Sequence, residues 1–520
     1  MNLAERRSQT LDELTAAPLD MLVIGGGIVG ASIARDAAQR GLRIGLVEQH
    51  DFAFGTSSRS SRLLHGGLRY LAQGRIRQVQ HASHEKMILH RIAPHLAQPL
   101  AFVFPTYRDH PEWPLWQLKI GVKLYDLLCG GHNLGNSSWL SPEQLLHKHP
   151  GLRREMLTGA VRYYDALTND ARLVIDSLRS AARNGALVLN YARFTDANHC
   201  LTSPPPLEPW DCVVEDRLAG KQFVVKARAV VNAAGPWSPS LPHSRVRLRL
   251  TKGVHLVIDR ARLPVDEAVV MTEGRRILFA IPWCRRTILG TTDTDFEGSP
   301  DFVFTDPEDT EYLLGVINHF FPGARLSRWD VISNWAGVRP LVADSHGNPS
   351  DISRSHEIRL AEPGWWDITG GKLTTCRLMA EQVVDRVVKA LRAARVLTRE
   401  IKPCRTAEEP LLSTPDEDGS GGVCPPEWGE GPVLRAVEQE WAVHLDDVMV
   451  RRTSWHYYLT DAAERARRVA DWMGEALGWD GATRLAELER YRQQAGMRAN
   501  SLSGGQPMPS TSAVATRVKD

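Results

Sequence analysis

A glycine-rich turn near the start of the chain constrains its fold more than any other feature. Gly25, Gly27 and Gly30 follow the apolar run 21–24 and open a stretch that is compatible with a helix. A second apolar run comes next and ends in Glu48. A strand, a tight glycine turn, a helix, a second strand and an acid within about thirty residues form the dinucleotide-binding fingerprint. The sequence therefore predicts an α/β unit that holds a dinucleotide.

Each residue type in this turn has a physical reason. Gly25 permits the tight turn, Gly27 lets the backbone approach a pyrophosphate, and Gly30 lets helix and strand pack closely. The N-terminus of the helix offers free N–H groups and the positive end of a dipole to the phosphates. Glu48 is placed to accept hydrogen bonds from a ribose hydroxyl. An acid at this position disfavours a 2′-phosphate, which argues against NADP.

Length and composition restrict the class of protein. A chain of 520 residues is too long for one small core, so two or three domains are expected. A hydrophobic content of 43% and a charged content of 24% are typical of a soluble globular protein. The net charge of +2 argues against a nucleic-acid partner. No apolar run reaches the roughly 18 residues that are needed to span a bilayer.

The cysteines and the N-terminus carry no metal or secretion signal. The seven cysteines form neither a C-x-x-C pair nor a metal-ligand spacing. We therefore expect no metal site, and reduced, mostly structural thiols in a cytosolic compartment. The segment Met1 to Asp20 has charges where a secretory signal needs an apolar core, so we expect a short polar extension there.

The spacing of apolar residues changes along the chain. Residues 245–295 alternate as short strands with little helix, which predicts a mostly antiparallel second domain. Residues 365–395 return to a strand, a Gly-Gly turn and a long helix. Residues 403–432 are rich in Pro, Gly and acids and predict a linker or loose loop. Residues 433–495 are helical and amphipathic, and the Ser/Gly/Pro-rich tail from about 498 is expected to be disordered. The expected core anchors of the helical part are Trp441, Trp455 and Trp472.

Three further features favour FAD over NAD, since both cofactors use the same fingerprint. The hydroxyl-rich run 56–61 suits a long cofactor that needs many hydrogen bonds. A second Gly-Gly turn at 370–371 leads into a helix N-terminus, which would stabilise negative charge on a reduced flavin ring. The segment 232–236 follows a buried strand and suits close approach of the backbone to a cofactor. Each of these features alone is also compatible with an ordinary loop or turn. Together with the dinucleotide-binding fingerprint, they favour a flavin cofactor.

A more specific resemblance starts behind the hydroxyl-rich run. The motif Leu64–Leu71, after Thr56-Ser57-Ser58, resembles the FAD-dependent aerobic glycerol-3-phosphate dehydrogenases, which belong to the glycine/D-amino-acid oxidase superfamily. Motifs similar to those of the family keep its order over residues 20–395. They are 232–237, 252–255, 281–283, 290–293, 337–341, 353–354 and 370–375.

The resemblance implies an α/β fold in which a Rossmann-like FAD-binding domain carries an inserted, mostly antiparallel substrate domain and a small helical C-terminal cap. The oxidoreductase region is expected over 20–400. Its FAD-binding segments are about 20–110, 165–240 and 335–395, its substrate-domain segments are about 111–164 and 245–335, and a linker (403–432), the cap (433–495) and a tail (498–520) follow. The family's cap is usually longer, which leaves open whether this chain forms a homodimer.

The family oxidises sn-glycerol 3-phosphate to dihydroxyacetone phosphate. Carbon 2 gives a hydride to flavin N5 while its hydroxyl loses a proton. We expect the FAD to be bound non-covalently. The resemblance implies that it is held by a set of glycines, hydroxyl residues and neighbours of the two glycine turns. These residues are Gly25, Gly27, Gly30, Glu48, Thr56, Ser57, Ser61, His65, Gly66, Gly67, Ala234, Gly235, Gly371, Lys372, Leu373 and Thr374.

A small phosphorylated alcohol needs a cationic phosphate clamp and a base near its hydroxyl. The substrate-binding residues implied by the resemblance are Arg69, Tyr70, Arg354 and Lys372. Arg339 is assigned to stabilise developing negative charge on the reacting oxygen. His255 is assigned as the base, because imidazole has a suitable pKa, and His65 is the alternative. Without the resemblance, His255 reads as an ordinary strand histidine.

Electrons must then leave the cofactor, and family members commonly pass them to a quinone from the membrane surface. The stretch 107–131 fits that use, since Trp113, Trp116, Lys119 and Lys123 alternate with aliphatic residues. The alternative is a helix that faces the core with two solvated lysines. The implied location is the cytoplasm, peripheral on the inner face of the cell membrane.

Other functions remain open at this point. A glycerol-3-phosphate oxidase would use the same site and differ only in reducing O2. An oxidase of amino or hydroxy acids from the same superfamily is disfavoured, because one carboxylate needs fewer cationic partners than the motifs supply. A flavin-binding protein without activity would not need His255, Arg339 and Lys372 together.

Overall fold

The structure is a computed structural model that describes residues 3–72, 74–130, 133–199, 209–274, 276–342, 356–411 and 421–503. The strands lie in three sheets, and the helices cover those sheets and build the C-terminal region. The strands are β1 (Met21–Ile24), β2 (Ile44–Val47), β3 (Leu63–Leu64), β4 (Gln98–Tyr107), β5 (Ser138–Leu140), β6 (Leu157–Leu167), β7 (Leu187–Leu189), β8 (Ala192–Asn198), β9 (Trp210–Asp216), β10 (Lys221–Ala227), β11 (Val230–Asn232), β12 (Leu248–Asp259), β13 (Ala268–Glu273), β14 (Arg276–Trp283), β15 (Arg286–Gly290), β16 (Thr294–Asp295), β17 (Val331–Val342), β18 (His356–Glu362) and β19 (Trp365–Gly370). The helices are α1 (Leu3–Ala16), α2 (Ile28–Gln39), α3 (Arg69–Ala72), α4 (Ile76–Ile92), α5 (Leu115–Leu128), α6 (Pro142–Lys148), α7 (Asp170–Arg183), α8 (Pro307–Phe320), α9 (Cys376–Ala393), α10 (Glu430–Gln439), α11 (Trp455–Tyr458), α12 (Ala462–Leu477) and α13 (Gly481–Ser503).

The nucleotide-binding part is a six-stranded sheet in the order β18-β19-β11-β1-β2-β7. Neighbouring strands run parallel, except that β18 is antiparallel to β19. Strands β1, β2 and β11 are buried along their whole length, as expected for parallel strands between layers of helices. Helix α2 packs between α7 and α9 on this sheet. The α/β class and the Rossmann-like unit expected from the sequence are confirmed.

The second large sheet, called the substrate sheet below, has the order β16-β12-β15-β14-β13-β4-β6-β3. Strand β17 also pairs with β12, and β5 pairs with β6. The strand pairs are antiparallel except for β13 with β4. A mostly antiparallel second domain is therefore confirmed. The register sets His255 opposite both Gly290 and Trp335, and Thr251 opposite Arg339.

The strands divide between the two sheets differently from the segment boundaries drawn from the sequence. Strand β4 falls in the predicted FAD-binding segment 20–110, yet it pairs with β6 and β13 of the substrate sheet. Strand β17 crosses the boundary at 335 and stays in the substrate sheet to Val342. Buried strands of two adjacent sheets show the same apolar pattern, so only their pairing partners distinguish them. A third sheet, β10-β9-β8, is small and antiparallel.

The C-terminal region contains α10 to α13 and a π-helical turn at Asp447–Arg452. Trp455 and Trp472 are buried as expected, while Trp441 is half-buried. Helix α13 continues through residue 503, past the predicted start of the tail, and residues 504–520 lie outside the described part of the chain. Within the described ranges, no helix has both the length and the hydrophobicity needed to cross a bilayer.

Buried ion pairs join this C-terminal region to the nucleotide-binding part. Asp51 lies in the loop after β2 and accepts hydrogen bonds from Arg451 and from Arg452, whose nitrogens lie 2.8 Å from its two carboxylate oxygens. None of these three residues is more than 2% exposed. Burial opposes ionisation of Asp51, but the charges of Arg452 and Arg451 hold its pKa below the usual value. A second buried pair, Arg172 with Glu440, lies nearby at 2.6 Å.

Residues 3–20 pack on the core, so the expectation of a short polar extension is wrong. Leu3–Ala16 form helix α1, in which Leu14 is fully buried. Arg7 of the same helix lies 2.6 Å from the carboxylate of Asp216 at the end of β9. A single apolar residue with polar neighbours carries too weak a periodicity to predict this docking from the sequence.

The described parts of the predicted linker are also fixed to the core. Arg35 of α2 donates hydrogen bonds to the carbonyl oxygens of Thr406 and Glu409, and Leu411 is buried. Residues 412–420 lie outside the described part of the chain. In the remainder, from 421, the carbonyls of Val423 and Pro426 accept hydrogen bonds from the indole N–H groups of Trp283 and Trp455.

A disulfide joins Cys284, in the turn between β14 and β15, to Cys424, before α10. The expectation of reduced thiols is therefore wrong for this pair. The two residues are 140 positions apart, so no spacing rule could bring them together. Next to the bridge, Trp283 donates to the carbonyl of Val423 at 3.0 Å. Disulfides are rare in a reducing cytosol, which makes this bridge unusual for the expected compartment. The free cysteines in the described residues are Cys129, Cys212, Cys376 and Cys404; Cys200 lies outside them.

Candidate active site

Two cavities adjoin each other between the six-stranded sheet and the substrate sheet. The first, of about 590 Å³, begins at the glycine turn after β1. The second, of about 290 Å³, lies against β12 and β17. A long cofactor in the first cavity would present one end to a small molecule in the second. The residues that line both cavities are Ile28, Thr56, Ser57, Pro340, Gly371, Lys372 and Leu373.

Backbone packs directly on backbone at the turn between β1 and α2. Gly25 has a φ of +112°, and a Cβ there would come within 2.6 Å of the carbonyl oxygen of Ala233. A Cβ on Gly30 would overlap the carbonyl oxygen of Gly25. Gly25 and Gly27 line the first cavity, whereas Gly30 lies behind them. The N-terminus of α2 therefore points into the cavity, where its dipole favours an anion.

Hydroxyl side chains of the run after the turn fix the neighbouring backbone. The Oγ of Ser57 accepts a hydrogen bond from the N–H of Ile28, at the start of α2, over 3.0 Å. The hydroxyl of Thr56 donates to the carbonyl of Val338 in β17 at 2.6 Å. The run thereby contacts the nucleotide turn through Ser57 and the substrate sheet through Thr56. Opposite them, Ala234 and Gly235 line the same cavity after β11.

Glu48 lies at the wall of the first cavity, directly after β2. Its carboxylate accepts hydrogen bonds from the N–H of Gly26 at 2.6 Å and from the N–H of His50 at 2.8 Å. Burial raises the pKa of the Glu48 carboxyl above its usual value. The loop then returns to the glycine turn, where the N–H of Ala53 donates to the carbonyl of Gly26 at 3.0 Å. Asp51, which pairs with the C-terminal arginines, belongs to this loop.

The second glycine turn closes the other end of the first cavity. Gly371 has a φ of +79° and is followed by Lys372 and Leu373, all of which line both cavities. Thr374 is buried below this turn, and its hydroxyl oxygen lies 3.0 Å from the N–H of His65. His65 lines the second cavity beside this turn, and its predicted cofactor contact stays a prediction.

Two neighbouring glycines of the Leu64–Leu71 motif have different surroundings. Gly67 has a φ of +84° and lines the second cavity next to Tyr70. Gly66 lines neither cavity; its N–H donates to the hydroxyl of Tyr125 in α5 at 2.7 Å. A Cβ on Gly66 would collide with that hydroxyl. The structure thus explains this glycine by contact with α5, and its predicted cofactor contact stays a prediction.

His255 is buried in the wall of the second cavity. Its Nε2 lies 2.7 Å from the hydroxyl of Ser61, and its ring stacks on Trp335 with centroids 5.2 Å apart. Its Nδ1 has no hydrogen-bond partner among the residues that the structure describes. Burial lowers the pKa of His255 to about 3, and the charges of Arg339 and Arg62 act in the same direction. The imidazole is therefore neutral near pH 7.

Arg339 lies on the same face of the sheet as His255, because residues opposite each other in antiparallel strands share a face. Its Nη2 lies 2.8 Å from the hydroxyl of Thr291, and its Nη1 lies 3.2 Å from the carboxylate of Asp293. Between the two residues, Gly253 and Gly337 lie opposite each other and line the cavity. A Cβ on Gly253 would overlap the Arg339 guanidinium.

The remaining predicted substrate residues are partly described. The Lys372 ammonium lies 3.9 Å from the centre of the Tyr70 ring, and both residues line the second cavity. Arg69 begins helix α3, but its side chain lies outside the described part of the structure. Arg354 lies in the segment 343–355, which is also outside it. The predicted clamp roles of these two arginines therefore stay predictions.

Several residues of this site escaped the sequence analysis. Arg59 and Arg276 add two cations to the lining of the second cavity. Arg62 is buried behind it, with its guanidinium 4.3 Å from the centre of the Trp283 ring and 5.4 Å from that of Trp335. Arg59 and Arg62 lie in or beside the hydroxyl-rich run, but in a chain whose 63 basic residues are mostly arginine, neither was distinctive.

Comparison with known proteins gives the family. Residues 20–386 match the FAD dependent oxidoreductases, and residues 426–484 match the C-terminal domain of alpha-glycerophosphate oxidase. An aerobic glycerol-3-phosphate dehydrogenase of Staphylococcus haemolyticus is 37% identical over 445 residues, which cover 84% of this chain and 77% of that protein. The chain belongs to the FAD-dependent glycerol-3-phosphate dehydrogenase family. The resemblance stated from the motifs is therefore confirmed.

Other members and solved structures agree with this assignment. The aerobic glycerol-3-phosphate dehydrogenase of Staphylococcus aureus (strain USA300) is 39% identical over 394 residues, which cover 74% of the present chain and 70% of the Staphylococcus protein. The glycerol-3-phosphate dehydrogenase from Bacillus halodurans, complexed with FAD, has a TM-score of 0.77 at 29% identity and covers 96% of this chain and 99% of its own. The L-alpha-glycerophosphate oxidase from Mycoplasma pneumoniae shares the fold, with a TM-score of 0.59 at 17% identity. The match covers 76% of the present chain and 100% of the oxidase.

The residues that line the first cavity of this chain are chemically suited to FAD. Backbone without side chains borders it at Gly25, Gly27 and Gly371, so a pyrophosphate and a flat ring can approach closely. Glu48 faces the same space with a carboxylate suited to ribose hydroxyls. The expectation of FAD rather than NAD is confirmed by the family. Non-covalent attachment stays a prediction.

We predict that Gly30→Ala abolishes FAD retention, because the new methyl group must push α2 away from the Gly25 carbonyl and open the phosphate site. The measurement is flavin absorbance per mole of purified protein. Gly315→Ala is the matched control, since Gly315 also lies in a helix and no atom lies within 4 Å of its added Cβ. Full flavin content in Gly30→Ala would contradict the role of this contact.

We also predict that the free energy of unfolding depends on pH because of His255. Its pKa is about 3 in the folded protein and about 6.5 in an unfolded chain, so the stabilisation by the neutral ring is complete above pH 6.5 and is lost as pH falls towards 3. At about pH 5 the loss amounts to about 2 kcal/mol. His255→Gln removes this contribution, so its melting temperature should fall less than that of the wild type between about pH 7.5 and about pH 5. An equal fall in the melting temperatures of the variant and the wild type would contradict this prediction.

Proposed function

We propose that this chain oxidises sn-glycerol 3-phosphate to dihydroxyacetone phosphate with FAD as its cofactor. The names of the relatives from Staphylococcus and of the Bacillus halodurans protein support this substrate. The observation that carries the proposal is one small cavity, bordered by a neutral buried histidine and several cations, that adjoins the nucleotide cavity at Lys372. Such a cavity suits a small anionic alcohol better than an amino acid.

His255 is the proposed base. In the described structure its Nε2 is paired with the Ser61 hydroxyl, so a bound substrate hydroxyl would take the place of Ser61 or share that nitrogen. The neutral ring then accepts the hydroxyl proton at Nε2. Bound FAD supplies the hydride acceptor, ring atom N5. The stack on Trp335 and the close contact with Gly290 hold the imidazole plane, which orients the lone pair for this transfer.

The cations of the cavity have two proposed tasks. Arg339 faces His255 across Gly253 and Gly337, so it can donate hydrogen bonds to the substrate oxygen as negative charge develops there. Because Thr291 and Asp293 fix its guanidinium, little reorganisation is needed during the reaction. Lys372 and Tyr70 hold the phosphate, and Arg59 and Arg276 add positive charge that attracts it.

We predict that sn-glycerol 3-phosphate bleaches the flavin absorbance of the purified protein under anaerobic conditions. Unphosphorylated glycerol should not, because it lacks the group that the cations bind. Arg339→Ala should keep its flavin and lose roughly a hundredfold or more in the rate of bleaching. Arg359→Ala is the control, since Arg359 is an exposed arginine of β18 that borders neither cavity. An oxidised spectrum of the wild type in the presence of substrate would overturn the proposed function.

The electron acceptor is proposed to be a membrane quinone, reached from the inner surface of the cell membrane. Helix α5 supports this proposal because it has two apolar faces. Leu118, Val122 and Tyr125 are buried in the core. On the other face, large apolar side chains are exposed, among them Trp116 at 63%, Ile120 at 62% and Leu127 at 69%. Such a face, bordered by Lys119 and Lys123, suits the interface of an anionic bilayer.

We predict that the double variant Ile120→Ser, Leu127→Ser loses binding to vesicles that contain anionic lipid, while it keeps its flavin and its bleaching by substrate. The measurement is co-sedimentation with vesicles, together with reduction of a water-insoluble quinone analogue. Leu485→Ser is the matched control, since Leu485 of α13 is also 69% exposed. Rapid peroxide formation in air without need of quinone would instead support the oxidase, which the match of residues 426–484 also names.

A further inference from the structure

Three potential metal ligands lie together outside the two cavities. Asp109 and His110 follow the end of β4, and His319 lies in the last turn of α8. One donor atom from each lies within 4.8 Å of the other two. None of the three borders the nucleotide or the substrate cavity. Two imidazoles and one carboxylate are the donor set that Zn²⁺ and its neighbours in the transition series prefer, whereas Mg²⁺ prefers oxygen ligands.

The geometry requires only a small adjustment to bind an ion. In a tetrahedral zinc site with bonds of about 2.0–2.1 Å, the ligand atoms are roughly 3.3 Å apart. Donor atoms that already lie within 4.8 Å would therefore each move by about 1 Å. The exposed position of Asp109 and His319 permits that movement and leaves room for a water as the fourth ligand.

Two of these ligands have hydrogen-bond partners that leave a donor atom available to a cation. The Nδ1 of His110 lies 3.5 Å from the hydroxyl of the buried Thr272, a long hydrogen bond that leaves Nε2 available. The carboxylate of Asp109 receives two hydrogen bonds from Arg153, at 2.8 and 3.0 Å. Hydrogen bonds of this kind orient the ligands of a protein metal site. Each oxygen of Asp109 keeps a second lone pair for a cation.

We propose that Asp109, His110 and His319 form a binding site for Zn²⁺. The ion joins the loop after β4, which leads into α5, to the C-terminal end of α8. It adds a link between two parts of the substrate domain that already pack together through the rings of His110 and Phe320, and its role is structural. Arg153 places a positive charge beside the site, so its presence weakens the binding of the cation.

The test is titration of the full-length, FAD-loaded protein with zinc chloride in a calorimeter, after removal of metal by dialysis against a chelator. We expect one site per chain. His319→Ala and His110→Ala should each lower the affinity by more than about tenfold, since even loss of an outer partner typically has that effect. His84→Ala, which changes an exposed histidine of α4, should bind zinc as the wild type does.

The variant Arg153→Gln should change the zinc affinity in the opposite direction to the histidine variants. It keeps a hydrogen-bond donor for Asp109 and removes the charge, so zinc should bind more tightly than in the wild type. Unchanged flavin content and turnover with sn-glycerol 3-phosphate show that each variant is folded. The proposal is overturned if both histidine variants bind zinc like the wild type, or if magnesium chloride displaces the zinc at equal concentration.

Discussion

The rest of the structure depends on a contact between three pieces of backbone at the start of α2. The Gly30 backbone rests on the carbonyl of Gly25, and Gly25 rests on the carbonyl of Ala233 at the end of β11. No side chain fits in either contact. Helix α2 is therefore held close to β1 and β11, and its positive end is fixed at the edge of the sheet. The other walls of the nucleotide cavity, which include Glu48 and Gly371, surround the N-terminus of α2.

A similar contact between glycines organises the substrate sheet. Gly253 and Gly337 face each other in the pairing of β12 with β17, and they leave open the space between His255 and Arg339. A side chain at Gly253 would overlap the Arg339 guanidinium, and one at Gly337 would overlap Arg59. One pair of small residues thus separates the proposed base from the cation that faces it and defines the size of molecule that fits.

The sequence predicted the elements whose signals are local. The glycine turn after β1 and the strand–turn–helix near residue 370 both depend on residues within one or two turns of each other. Motifs in family order also named His255 and Arg339, which do lie on one cavity.

What the sequence could not predict depends on distant partners. The apolar pattern of β4 is the same whether it pairs in one sheet or the other, and its pairing with β6 and β13 decides the matter. The Cys284–Cys424 bridge joins residues with no common motif. Arg62 became recognisable only beside Trp283 and Trp335. Each of these features needs the folded arrangement before its chemistry is visible.

The buried ion pairs of Asp51 connect two distant parts of the sequence. Asp51 lies three residues after Glu48, but its counter-charges are Arg451 and Arg452, some 400 positions later. Truncation of the C-terminal region therefore also removes both cations from a carboxylate in the loop that follows Glu48. Damage at the far end of the sequence thereby reaches the loop beside the nucleotide cavity.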